Sequence, residues 1–247
     1  MSGDESASAP EVVLGAGEQT MLLLGALHEL ASAQIGFVLV GGLAVMARLG
    51  SVHRATTDLD ALSGREDFAL VCSQRVDGAV LDGDALYLRD VKVDTIVVEG
   101  DVGYDEIAHN VDEPIDRLFT AGHRFALDDA ATMRVVSGDE AVETRVAAPR
   151  ALLVTKLHAY LSPRRNPAKQ GSDALDVVRL GELVASQHDR LVPGLVPDLV
   201  CEVAAWAFEQ VLADQPKLTR RLRSIGSAAA PSELFELLLD DARSRAP

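Results

Sequence analysis

Three carboxylates and a glycine pair are the residues of this 247-residue chain whose types and spacing suit chemistry. Asp58 and Asp60 lie two apart in Thr57-Asp58-Leu59-Asp60-Ala61-Leu62, a stretch that reads as a strand, and a strand puts such neighbours on one face. Like charges there repel, and hard oxygen donors in that arrangement suit Mg2+ or Mn2+. A solvated acidic pair on a loop is the alternative. Asp94 interrupts Val91-Lys92-Val93 and Ile96-Val97-Val98, an otherwise apolar strand in which an unpaired carboxylate is costly. It calls for a partner, either as third ligand of a metal site or in a surface salt bridge with Lys92 on an edge strand. Gly41-Gly42 lies between an apolar strand and a helical pattern, where backbone N–H groups and a helix N-terminus can cradle phosphates. Its alternative is a tight turn. Arg54 is read either as a phosphate clamp or as the partner of Asp58, His53 as a solvated loop residue, and His158 as pointing away from Lys156.

Positioning these residues needs alternating elements. Leucines at helical spacing predict a helix from Glu18 to Gln34, followed by a strand at Phe37–Val40 and a helix over Leu43–Leu49 closed by Gly50. Strand Asp58–Leu62, a helix over Arg65–Ser73, and strands Ala85–Leu88 and Val91–Val98 joined by a turn at Arg89-Asp90 come next. Arg124–Leu127 and Met133–Val136 read as further strands. Helices are then predicted at 149–161, 172–187, 197–213, 217–225 and 232–243. Glycines thin out near residue 148, which divides the chain into a disordered tail (1–17), an α/β domain (18–148) and a helical domain (149–247).

Composition narrows the function classes. With 23 Lys+Arg against 38 Asp+Glu the formal net charge is -15, which excludes a broad electrostatic grip on nucleic acid. The acidity is uneven, with 10 basic and 26 acidic residues in 1–148 but 13 and 12 in 149–247, so a local contact with an RNA end stays open. Arg164, Arg165 and Lys169, and Arg220, Arg221 and Arg223, are clusters that would meet RNA phosphates or simply solvate helix ends. Cys72 and Cys201 sit in apolar stretches without metal-ligand spacing and read as buried thiols. No apolar run reaches the roughly 18 residues of a membrane helix, and the acidic N-terminus is unlike a signal peptide, so a soluble cytoplasmic protein is expected.

Taken together, Gly41-Gly42, Arg54-x-Thr56-x-Asp58-x-Asp60 and the later Asp94 resemble the nucleotidyltransferase superfamily, the polymerase beta-like enzymes. The wording around Asp58 is similar to the AbiEii/AbiGii and MenT branch, toxins of bacterial toxin-antitoxin systems. That branch also carries a helical Lys followed by a basic stretch and an acidic motif, matched by Lys156, by Arg164-Arg165 with Lys169, and by Asp173-Ala174-Leu175-Asp176. The motifs span about residues 36 to 181. The resemblance implies a mixed sheet with flanking helices, then a helical domain. It implies Mg2+ or Mn2+ on Asp58, Asp60 and Asp94, and an NTP held by Gly41, Gly42, Arg54, Thr56, Lys156 and Asp176. It also implies catalytic parts for Asp58, Asp60, Asp94, Lys156 and Asp173, with Asp94 helping to deprotonate the acceptor and Asp173 orienting Lys156 or the acceptor. Ser172 replaces the usual basic residue before that last motif, so either Asp173 or Asp176 fits the family's role. The implied acceptor is an RNA, tRNA in particular, or a protein hydroxyl, and the implied partner a cognate antitoxin. A small-molecule acceptor, as in aminoglycoside nucleotidyltransferases, and a catalytically silent binding module are the alternatives.

Overall fold

The computed structural model describes residues 9–15, 17–83, 85–98, 102–187, 191–192, 194–227 and 231–244. These form a mixed α/β fold of ten helices around one eight-stranded sheet. The strands are β1 (Glu11–Val13), β2 (Val38–Val40), β3 (Asp58–Ser63), β4 (Val80–Asp82), β5 (Ala85–Leu88), β6 (Val91–Val97), β7 (Ala130–Ser137) and β8 (Glu140–Ala147). Their order across the sheet is β1-β7-β8-β2-β3-β6-β5-β4. The middle strands β2, β3 and β6 carry Val38, Leu39, Val40, Leu59, Leu62, Val91 and Val93 at buried positions, as interior strands do.

The helices before the sheet closes are α1 (Glu18–Ser32), α2 (Gly41–Leu49), α3 (Phe68–Arg75), α4 (Tyr104–Asn110) and α5 (Pro114–Asp128). After β8 come α6 (Pro149–Leu161), α7 (Gln170–Ser186), α8 (Asp198–Ala213), α9 (Gln215–Ser224) and α10 (Ser232–Arg243), with a short 3-10 turn at Pro167–Lys169. Residue 148 is where the last strand hands over to helices. One hydrophobic core nevertheless runs through both parts, from Leu23 and Leu39 under the sheet to Leu153, Val177 and Phe208. Among the described residues no helix is long and apolar enough to cross a membrane.

Three expectations are corrected. The tail expected to be disordered through residue 17 contains a strand: Glu11–Val13 pairs in parallel with Arg134–Val136, and Leu14 N donates to Val136 O at 2.7 Å. A three-residue strand of charge and valine has no periodicity of its own and forms because the edge of β7 offers it a ladder. Residues 1–8 and 16 lie outside the described residues. Arg124–Leu127 is not a strand but the last turn of α5. Leu118, Ala121, Gly122, Phe125 and Ala126 are buried at helical spacing, Pro114 occupies the first turn and Arg124 pairs with Asp128 four residues on. Four residues are too few to tell the two periods apart. Third, β6 is an interior strand between β3 and β5, not an edge.

Candidate active site

The site forms where β2 passes directly into α2. Gly41 takes a left-handed φ of +69°, and a Cβ there would stand 1.8 Å from Oδ2 of Asp60 and 2.7 Å from its Cβ. At Gly42 a Cβ would lie 2.7 Å from the Arg54 guanidinium and 2.7 Å from Oγ1 of Thr56. The glycines therefore let the turn sit against Asp60, Arg54 and Thr56, a steric reason the sequence left undecided. That turn also opens α2 toward the same space.

Parallel pairing of β3 with β6 sets Asp58 opposite Lys92 and Asp60 opposite Asp94. In-register residues share a face, so the three carboxylates point the same way. The Lys92 ammonium bonds Asp94. Asp58 accepts from Lys169 Nζ at 2.5 Å and from Thr56 Oγ1 at 3.2 Å. Burial alone would raise the Asp58 pKa, but these bonds outweigh it and hold the carboxyl below its ordinary value. Asp60 differs. No described residue hydrogen-bonds to it, and burial pushes its carboxyl up to about 6, with Lys156 opposing and Asp58 and Asp94 adding to the rise.

Behind this acidic face lies a buried ionic network from α6, α7 and two loops. Asp173 and Asp176, one turn apart near the start of α7, are both 0% exposed. Asp176 receives Arg54 through both oxygens, at 2.8 and 2.7 Å, together with His53 Nε2 at 2.8 Å and Lys156 Nζ at 3.0 Å. Burial would raise its pKa, yet Lys156, His53 and Arg54 drive it far below the carboxylate range. Asp173 receives Arg165 at 2.5 and 2.9 Å and stands 3.5 Å from Lys156 Nζ. Lys156, 5% exposed, is thus fixed from behind by two aspartates while its ammonium stays close enough to Asp60 to lower its pKa.

Several roles change accordingly. Arg54 is not the partner of Asp58; its fork holds both oxygens of Asp176 while its side chain lines the same cavity as Asp58 and Asp60. Asp176, expected to touch the nucleotide, is sealed off and positions Lys156 and Arg54 instead. His53 is a member of the network and not a solvated loop residue, its side chain 10% exposed. Arg165 and Lys169 are site residues that a plain count of basic clusters did not separate from Arg164. Their signal was the basic loop placed directly before two aspartates at i and i+3 on an apolar helix.

Two cavities meet at this point. One, of about 350 Å³, is lined by Gly42, Thr56, Asp58, Asp60, Lys156, Arg165 and Lys169 among others. The second, of about 290 Å³, shares Asp60, Lys156 and Arg165 with the first and continues past Gly41 to Phe119, His123 and His158. No sequence motif pointed to these last three.

The donor chemistry fits a divalent cation only after rearrangement. Among the described residues no three His, Cys, Asp or Glu groups stand close enough to chelate one as they lie. The Lys92 and Lys169 ammonium groups already neutralise Asp94 and Asp58, taking the part an ion would play. Asp60, which no described residue hydrogen-bonds, lines the cavity and is the carboxylate of the three left without a lysine partner. Compared with known proteins, the chain matches no family model and none of the curated proteins searched.

Proposed function

We propose that the protein is a metal-dependent nucleotidyltransferase that moves a nucleotide from an NTP to a hydroxyl, with an RNA acceptor, tRNA in particular, favoured over a protein. The observation that carries this reading is the placement of Asp58, Asp60 and Asp94 on one sheet face, beside the Gly41 turn and opposite the anchored ammonium of Lys156. A divalent ion on those carboxylates would neutralise charge developing on the phosphate oxygens.

The chain's own residues account for the remainder. Lys156 and Arg165, oriented by Asp173 and Asp176, present fixed positive charge to a triphosphate in the cavity that also holds Lys169. The acceptor oxygen forms a bond to the α-phosphorus, the bond from that phosphorus to the bridging oxygen breaks, and pyrophosphate leaves. The acceptor's proton passes to the carboxylate face or to water. Lys169 must leave Asp58 for the site to load, so binding exchanges one internal ion pair for a lysine–phosphate contact. An RNA acceptor is supported by the near-neutral charge of residues 149–247 and by Arg164 at the mouth of the second cavity. The toxin role, with a cognate antitoxin, rests on the motif resemblance.

Incubation with each labelled NTP, Mg2+ and total tRNA or a bacterial lysate tests the reading. Label should move to the RNA fraction with the wild type and not with Asp58→Ala or Asp60→Ala. Equal transfer by the variants, or none by any protein, overturns it. Expression in a bacterium should be toxic and relieved by Asp58→Ala; drug resistance in place of toxicity would make the acceptor a small molecule.

A further inference from the structure

The second cavity has a cationic end and an aromatic end. At the first stand Lys156 and Arg165, shared with the triphosphate cavity. At the other, Phe119 packs against two imidazoles, its ring centroid 4.3 Å from that of His123 at a tilt of 48° and 5.0 Å from that of His158 at 63°. Ile96 lines the same space. Contact at Gly122 brings these residues together, because a Cβ there would stand 2.9 Å from a methyl of Val154, and its absence lets α5 settle onto α6.

His123 is 5% exposed, and its Nδ1 lies 2.8 Å from the carbonyl oxygen of Phe119. A carbonyl only accepts, so Nδ1 carries the hydrogen. Burial pulls the imidazole pKa down to about 4, so near neutral pH the other nitrogen, Nε2, holds a lone pair and no proton. Among the described residues none bonds to Nε2, and His123 lines the cavity. The aromatic end therefore has in His123 a hydrogen-bond acceptor and no donor.

We infer that this cavity seats the base of the nucleotide and that His123 makes it prefer a base with an amino group at the pyrimidine 4- or purine 6-position over one with a keto group there. This rests on the nucleotidyltransferase reading. An exocyclic amine donates to Nε2, whereas a keto oxygen in the same pose sets lone pair against lone pair and leaves a buried acceptor unpaired. The Phe119 and His158 rings, set at 63° to each other, supply aromatic contact that does not distinguish the two kinds of base.

Equilibrium binding without an acceptor tests this, using CTP against UTP and ATP against ITP with Mg2+, since each pair differs at that position. Wild type should bind the amino member of each pair about tenfold tighter, the worth of one net hydrogen bond. His123→Phe keeps the ring and removes the acceptor, so both ratios should fall toward one. If that variant misfolds by circular dichroism, His123→Gln, whose amide presents donor or acceptor, should do the same. A ratio near one in wild type, or unchanged ratios in a folded variant, overturns the inference alone. Failure of wild type to bind any of the four overturns the reading of the site along with it.

Discussion

Gly41 is packed against Asp60 so that no side chain fits at Gly41: the space its Cβ would need is filled by the Asp60 carboxylate and by the Asp60 Cβ, 2.7 Å away. The carboxylate could swing aside, but the Cβ is tied to β3. Gly41→Ala should therefore cost about 3 kcal/mol, combining a left-handed alanine with displacement of the strand. Gly78, also left-handed at +75° but with nothing within 4 Å, is the control, and Gly78→Ala should cost about 1 kcal/mol. Urea unfolding of the two variants measures the difference, and equal losses would show that close approach is not what Gly41 provides.

Asp60→Asn should stabilise the metal-free protein at pH 7 while abolishing nucleotide transfer. The folded-state pKa of about 6 lies above the ordinary 3.8, so the folded protein holds this proton more tightly than the unfolded chain. Stability is then lost as pH rises from 4 to 6, by about 2 to 3 kcal/mol in total. The Asn variant lacks that loss, and its advantage should vanish below about pH 4. Adding Mg2+ should raise the melting temperature of wild type and leave that of Asp60→Asn in place.

The two cavity histidines act with the opposite sign. Burial lowers both His123 and His158 from 6.5 to about 4, so their contribution is complete above pH 6.5 and is lost as pH falls through 4. For the well-buried His123 the span is about 3 kcal/mol. His123→Phe should flatten the acid limb of the stability profile. In the Asp60→Asn background that limb should be steeper than in wild type, because the opposing carboxylate slope is gone. Thermal melts from pH 4 to 8 separate the two.

Lysines at equal reach of the carboxylates should differ in what they are worth. Lys156→Met removes one buried cation from Asp173 and Asp176, which keep their arginines, and should cost about 2 to 3 kcal/mol. Lys169, 43% exposed on Asp58, should cost less than about 1 kcal/mol when replaced by Met. On the proposed function NTP affinity should fall in both, since Lys156 and Lys169 line the same cavity. A Lys169 variant as unstable as Lys156→Met would contradict the burial argument.

Elements with strong local periodicity were legible from residue order. Helices 149–161 and 232–243, the hairpin turning at Arg89 and Asp90, and strand Asp58–Leu62 all stand where apolar spacing puts them. β1 and the nature of β6 were not legible, because an edge is defined by which strands pair across the chain. Arg124–Leu127 was misread because the helix that claims it is decided by packing on α6.

Residue types and spacing alone determined that Asp58 and Asp60 share a strand face, that Gly41-Gly42 stands where a strand meets a helix and that Lys156 is helical, since strand period and turn chemistry are local. Tertiary structure decided what each one touches. It spent Arg54 on Asp176, buried Asp176 beyond a ligand's reach, drew Lys169 to Asp58 and left Asp60 without a partner. Those outcomes join residues more than 100 positions apart, and a charge chooses its partner by distance and burial, which only the packed chain defines.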